Sequence, residues 1–226
     1  QIEKLENGFN KFSSSLSDRL LYVLRIFSWA FFFEILKQFM FCSAFQYYIF
    51  LLERFDSWSL AGYGFALTIT FYLKYLVIYG ISKCFSELDG LEDVIAPPPE
   101  CIAHMHRTSY LWRRFDQGLY RFLVKYFYKP LTGNAHTNPV RKLSAGIVCF
   151  TIIALWHGFN LPVVIWVSLN VALSSAEILG KQISSLLPDF ITKKHPFFMQ
   201  QLTAFIGAPY LSLAYLSNVF FLSNYE

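Results

Sequence analysis

One long apolar stretch limits what this chain can fold into more than any other feature. Residues 60–82, "LAGYGFALTITFYLKYLVIYGIS", contain Lys74 as their only charged side chain. A helix of about 20 apolar residues is long enough to cross the hydrocarbon core of a bilayer. The stretch therefore predicts a membrane-spanning helix.

The whole chain is poorer in charge than a soluble domain. Of its 226 residues, 55% are hydrophobic, 19% aromatic and 15% charged, whereas soluble domains carry about 25% charged residues. The net charge of +4 is small and scattered, which excludes nucleic acid as a partner. The expected partner is the lipid bilayer, and the expected fold class is all-α, a polytopic transmembrane helical bundle.

The cysteine pattern indicates neither a zinc site nor a disulfide framework, because the chain contains no Cys-x-x-Cys pair. We expect most of the thiols to be buried apolar side chains. The four cysteines are Cys42, Cys84, Cys101 and Cys149.

Further apolar runs follow a polar lead-in at residues 1–20. The first two adjoin each other and predict either two segments or one long kinked segment. In total we expect five or six membrane helices in a single domain, 1–226, with re-entrant or interfacial helices at 91–131 and a catalytic region at 111–160. The other apolar runs are 20–36, 37–52, 143–156, 161–180 and 202–222, the last interrupted by Pro209.

Two polar stretches separate these runs. Residues 83–109 predict a loop, because three consecutive prolines, Pro97 to Pro99, forbid a continuing helix. Residues 181–201 predict a second polar connection. Between them, residues 110–131 repeat apolar side chains at steps of three and four, which predicts one helix along the membrane surface. The repeat consists of Leu111, Phe115, Leu119, Phe122 and Tyr126.

His157 follows an apolar run directly, in "FTIIALWHGFN" at residues 150–160. A histidine at a helix end is more often structural than catalytic. Here Trp156 offers an apolar wall and Gly158 an open approach, and a buried neutral imidazole is a competent general base near neutral pH. Both interpretations stay open on the residues alone.

Asp116 is the second candidate for chemistry, because carboxylates within or against a membrane tend to be paired or functional. Its structural alternatives are a salt bridge to Arg113 or Arg114, or an interfacial position facing water. His104 and His106 could supply half of a metal site, but no neighbouring ligand pattern completes it, so no metal is expected.

Two segments together resemble the membrane-bound O-acyltransferase family: "LWRRFDQGLYRFLVKYFYKPL" at residues 111–131 and "IIALWHGFN" at residues 152–160. The family has a histidine in a Trp-His-Gly setting, preceded upstream by an Asn or Asp after a Trp-Arg pair. Aspartate at that position is similar to the branch that palmitoylates Hedgehog proteins, as are "FYLKYLVIYGISKCFSELDGL" and "LSNVFFL". Members are roughly twice as long, so the resemblance implies a fragment of the C-terminal half.

The resemblance implies specific roles. His157 would be the catalytic histidine and Asp116 its acidic partner, while Cys101 matches a cysteine that ligates haem. The resemblance places substrate binding at Trp112, Arg113 and Trp156.

The implied reaction moves a palmitoyl group from palmitoyl-CoA to the N-terminal cysteine of a Hedgehog-type secreted protein. The expected location is the endoplasmic reticulum membrane, with the Golgi as the alternative. Two other functions stay open: a lipid or GPI-anchor O-acyltransferase of the same family, and a non-catalytic paralogue that acts as a transporter or scaffold.

Overall fold

A computed structural model describes residues 16–89, 91, 95–102, 107–133, 138–186 and 196–223. This part of the chain is helical and contains no strand, as predicted. The α-helices are α1 (Leu16–Met40), α2 (Cys42–Tyr47), α3 (Ser57–Leu88), α4 (Thr108–Arg114), α5 (Gln117–Leu123), α6 (Lys129–Thr132), α7 (Pro139–Trp156), α8 (Leu161–Leu186) and α9 (Pro196–Ser223). A 3₁₀ helix spans Ile49–Arg54, and a π-helical turn at Val124–Tyr128 joins α5 to α6.

The helices group into two compact units. The first contains Gln1–His104 and Trp112–Leu119, and the second contains Met105–Leu111 and Tyr120–Glu226. The interpretation of 1–226 as a single domain stays a prediction.

Three helices in the described part are long and apolar enough to cross a membrane: α3, α7 and the Leu161–Gly180 portion of α8. They confirm the all-α membrane architecture. The total of five or six spans stays a prediction. The charged residues of α1 set it apart from these three: Asp18, Arg19, Arg25, Glu34 and Lys37.

Polar side chains cap the N-termini of two of the membrane helices. The Asp56 carboxylate accepts the Trp58 and Ser59 backbone N–H groups at the start of α3. Asn138 accepts the corresponding N–H groups at the start of α7, where Pro139 occupies the first helical position. The first N–H groups of a helix have no partner within it, so these caps stabilise the helix starts.

Several helix ends lie beyond the positions predicted from polarity. Helix α1 begins at Leu16, inside the expected lead-in, and α3 extends to Leu88, inside the expected loop 83–109. The expected connection 181–201 is helical at both ends, because α8 reaches Leu186 and α9 begins at Pro196. Polarity alone does not end a helix, since Lys, Gln and Glu are good helix formers.

Two expected interruptions have different outcomes. Helix α9 continues through Pro209, so the predicted break there is wrong; proline removes one backbone hydrogen bond, which a membrane helix tolerates. The first two apolar runs instead separate at Phe41, whose φ of +46° ends α1. The choice between two segments and one long kinked segment stays a prediction.

Helices α1 and α3 approach closely at Gly80. An ideal Cβ on Gly80 would lie 2.5 Å from Ile26 Cδ1 and 3.1 Å from Ile26 Cγ1. Ile26 is only 2% exposed, so its side chain has little room to move. Small residues permit such close helix packing in membranes.

We predict that Gly80→Leu destabilises this helix pair by about 1–3 kcal/mol through overpacking. The matched control is Gly62→Leu in the same helix, because a Cβ at Gly62 meets nothing within 4 Å. Thermal unfolding of the intact protein in detergent measures the difference. Equal melting temperatures for the two variants would contradict the packing described.

Candidate active site

His157 directly follows α7 and is its C-cap residue. Its backbone N–H donates to Ile153 at 3.0 Å, while the next two N–H groups donate back to Leu155 at 3.3 Å and Ala154 at 2.9 Å. This pattern is a Schellman motif, in which the residue after the cap takes a left-handed conformation. Gly158 occupies that position with a φ of +101°.

The chain restarts as a helix within three residues. Phe159 keeps a positive φ of +46°, and Asn160 then accepts the Val163 N–H on its side-chain oxygen at 3.0 Å. The sequence "HGFN" is therefore a complete helix-to-helix turn. It joins α7 to α8, at the junction of the apolar runs 143–156 and 161–180.

Aromatic rings surround the half-buried imidazole of His157. Trp166 of α8 and Phe221 of α9 present their edges to it, with ring centroids 5.8 Å and 5.3 Å away. These two rings stack on each other at 4.1 Å. Trp156, the wall expected from the sequence, lies 5.0 Å from the imidazole but is 68% exposed.

Burial in this aromatic setting lowers the pKa of His157 from its ordinary value of 6.5, because the charged imidazolium is desolvated. The imidazole is therefore neutral at pH 7. A neutral imidazole can accept a proton from a nucleophile, which is the state a general base requires.

Asp116, in the other unit, lies between two short helices. Its Oδ1 accepts the Leu119 backbone N–H at 2.8 Å, so the side chain caps α5. Its Oδ2 accepts a hydrogen bond from the Tyr79 hydroxyl of α3, also at 2.8 Å. These two donors hold the carboxylate at both oxygens.

Arg114 pairs with Glu100 and not with Asp116, as the salt-bridge alternative had it. That guanidinium lies 2.6 Å from the carboxylate of Glu100, and the Glu100 backbone N–H donates to the Arg114 carbonyl at 3.1 Å. Phe115 stacks on Phe71 of α3 at 5.4 Å. The segment before Asp116 is thereby attached to residues of the same unit.

The prediction of one continuous helix over residues 110–131 is wrong. The chain breaks at Phe115 and Asp116 between α4 and α5, because the aspartate serves as the start of the second helix. The predicted apolar face is partly exposed, with Phe122 at 47% and Tyr126 at 56%.

The remaining predicted residues occupy varied settings. Trp112 is half-buried and Arg113 is exposed at the end of α4. Cys101 is a free, half-buried thiol, and the described residues contain no cluster of His, Cys, Asp and Glu that could hold a metal. Haem binding at Cys101 stays a prediction. His104 and His106 lie outside the described residues.

Sequence reasoning missed three residues that shape these surroundings: Tyr79, Trp166 and Phe221. Tyr79 and Trp166 lie within long apolar runs, where an aromatic residue is most simply explained as part of a span. Phe221 lies in "LSNVFFL", a segment that the resemblance had already singled out. That segment was the sequence signal from which Phe221 could have been found.

Comparison with known proteins places the chain in a family. Residues 6–217 match the sequence model of MBOAT, the membrane-bound O-acyltransferase family. The chain belongs to the membrane-bound O-acyltransferase family. The resemblance seen in the Trp-Arg and Trp-His-Gly segments is thereby confirmed, and with it an acyltransferase fold embedded in a membrane.

Within this O-acyltransferase family, the chain is similar to the protein-cysteine N-palmitoyltransferase HHAT of Mus musculus, with 34% identity over 65% of this chain and 29% of the relative. It is also similar to the protein-cysteine N-palmitoyltransferase Rasp of Drosophila melanogaster, with 32% identity over 78% of this chain and 35% of the relative. The membrane-bound O-acyltransferase GUP1 of Saccharomyces cerevisiae is 25% identical over 55% of this chain and 21% of the relative. The chain thus spans about a third of the length of the palmitoyltransferases that it matches.

We predict that Tyr79→Phe destabilises the protein by about 1–2 kcal/mol, because the phenylalanine cannot donate to the Asp116 carboxylate. Tyr72→Phe, two turns earlier on α3, is the matched control, since no hydrogen bond is assigned to its hydroxyl among the described residues. Thermal unfolding compares the two. In an Asp116→Ala background the cost of Tyr79→Phe should largely disappear, and an undiminished cost would show that the bond is not the cause.

Proposed function

We propose that this protein transfers a long-chain acyl group, palmitoyl, from palmitoyl-CoA to the N-terminal cysteine of a Hedgehog-type secreted protein. The observation that carries the proposal is a neutral imidazole at His157, held in a Trp-His-Gly turn of an O-acyltransferase chain. The similarity to two proteins named protein-cysteine N-palmitoyltransferases supports the donor and the acceptor.

His157 acts as the general base in this proposal. The nucleophilic amine attacks the thioester carbonyl, a carbon–nitrogen bond forms, and the carbon–sulfur bond to coenzyme A breaks. The imidazole accepts the proton that the amine loses and can return it to the departing thiolate. General-base assistance of this kind contributes about 10²- to 10⁴-fold.

Asp116 serves the same reaction as a charged group whose geometry is set by Tyr79 and Leu119. A carboxylate with both oxygens already engaged by donors is fixed in direction, so it can orient a partner without first ordering itself. Positioned charges stabilise developing opposite charge with little reorganisation.

Three side chains near the proposed reaction residues in sequence suit the donor. We assign Trp112, Arg113 and Trp156 to substrate binding, because tryptophan rings pack against an acyl chain and a guanidinium pairs with phosphate. Each methylene buried from water contributes about 0.8 kcal/mol. The proposed location is the endoplasmic reticulum, where a secreted acceptor is available, with the Golgi as the alternative.

We predict that His157→Ala lowers kcat/KM for palmitoyl transfer by about 10²- to 10⁴-fold in the intact protein. The matched control is Leu155→Ala, since Leu155 is two residues away and 63% exposed; it should keep wild-type activity. The assay measures label from radioactive palmitoyl-CoA in a peptide that begins with cysteine. Normal transfer by His157→Ala at normal expression would overturn the role of this histidine.

The acceptor is tested in the same assay by adding a glycerophospholipid and an N-acetylated copy of the peptide. We expect hydroxylamine-resistant label in the free-amine peptide only, because an amide resists hydroxylamine whereas a thioester does not. Label confined to lipid would assign the chain to O-acylation of a lipid, and the absence of saturable palmitoyl-CoA binding would indicate a transporter or scaffold.

The pH dependence follows from the pKa of His157, which lies below 6.5 in the folded protein. Only the neutral imidazole accepts a proton, so kcat/KM should show an acidic limb at that lowered pKa, in addition to the limb that the peptide's own α-amine adds at about 8. A profile with the amine limb alone would contradict this assignment. The profile is recorded with the peptide at concentrations far below KM.

A further inference from the structure

A fully buried polar pair joins α8 to α9 in a largely apolar interface. Asn170 and Ser217 are each 1% exposed. The Asn170 Nδ2 group donates to Ser217 Oγ at 3.1 Å and to the Trp166 carbonyl at 2.9 Å. A buried amide costs free energy unless it is bonded in this way. Apolar side chains at these two positions would avoid that cost, so burial alone does not explain the pair.

The pair can fix how far one helix slides along the other. Apolar side chains such as Val163, Leu173 and Ala214 pack in many registers, whereas a hydrogen bond between two buried groups forms in one. A slip of a single helical turn moves the partners by about 5.4 Å and breaks the bond. Polar residues that specify register are known from other helical assemblies.

The same interface carries the rings that face His157. Trp166 lies one turn before Asn170 on α8, and Phe221 lies one turn after Ser217 on α9. A second bond, from Trp166 Nε1 to Asn218 Oδ1 at 3.2 Å, holds the indole in its plane. The polar pair is therefore one turn away from the stacked rings on both helices.

We propose that Asn170 and Ser217 are positioning residues for His157, because their hydrogen bond sets the register in which Trp166 and Phe221 meet the imidazole. The pair does not touch the imidazole and acts through the two rings. Its catalytic consequence rests on the proposed function, whereas its effect on the surroundings of His157 does not.

The decisive variant is Ser217→Ala, which removes the hydroxyl and little volume. When the rings lose their register, water reaches the imidazole and the pKa of His157 rises towards 6.5. In the intact protein we expect this rise in an NMR titration of ring-labelled histidine, assigned by its absence in His157→Ala. We also expect kcat to fall about tenfold, since small displacements at a reacting group carry losses of that order or more, with little change in KM for palmitoyl-CoA.

Two further variants separate positioning from general stability. Ser217→Thr keeps the hydroxyl and should retain the wild-type pKa and kcat. Ser212→Ala on the same helix is the matched control, since its hydroxyl is exposed and bonds to the Ala208 carbonyl one turn earlier; it should change neither quantity.

A Ser217→Ala protein that melts earlier but keeps the wild-type pKa of His157 would overturn the positioning role. Equal pKa values for Ser217→Ala and Ser217→Thr would do the same. Failure of the proposed function shows itself differently, as full activity in His157→Ala, and leaves the NMR comparison valid.

Discussion

A backbone N–H or C=O group at a helix end has no partner within the helix, and in the hydrocarbon core of a membrane it finds no water either. Polar side chains supply partners at several helix ends among the described residues. Asp56 and Asn138 cap the starts of two membrane helices, Asn160 caps a third, and the Glu177 carboxylate of α8 accepts the Ser109 N–H at the start of α4 at 3.2 Å. Polar residues are few here, and many of them are at helix ends.

Both proposed reaction residues follow the same rule. His157 ends a helix within a Schellman turn, and Asp116 begins one as its cap. At a capped helix end a side chain can project out of the apolar packing while the terminal backbone groups keep their hydrogen bonds. A structural and a catalytic interpretation of these residues are therefore compatible, because the cap supplies the orientation that the chemistry needs. The lowered pKa of His157 then follows from the rings around it.

The sequence predicted what depends on local composition. The apolar runs became helices, and the break between α7 and α8 falls between the predicted runs 143–156 and 161–180. The helix over 110–131 was mispredicted, because the apolar repeat was followed across Asp116, although an aspartate before a helical segment is a capping signal. The Tyr79–Asp116 bond and the Trp166–Phe221 stack were out of reach, since each joins segments that are distant in sequence and brought together by packing alone.

The central claim is that Asp116 and His157 serve one reaction, and a double-mutant cycle tests it most directly. Asp116→Asn keeps an acceptor for the Leu119 N–H, since asparagine caps a helix as well as aspartate does, and its Nδ2 can donate to the Tyr79 hydroxyl, so it removes the charge and reverses the direction of one hydrogen bond. Initial rates of palmitoyl transfer are compared for the two single variants and for Asp116→Asn/His157→Ala, all at unchanged melting temperature. The account predicts that Asp116→Asn alone is slow and that the double variant is little slower than His157→Ala, as for groups that act as a unit. Losses that multiply, or full activity in Asp116→Asn, would contradict it.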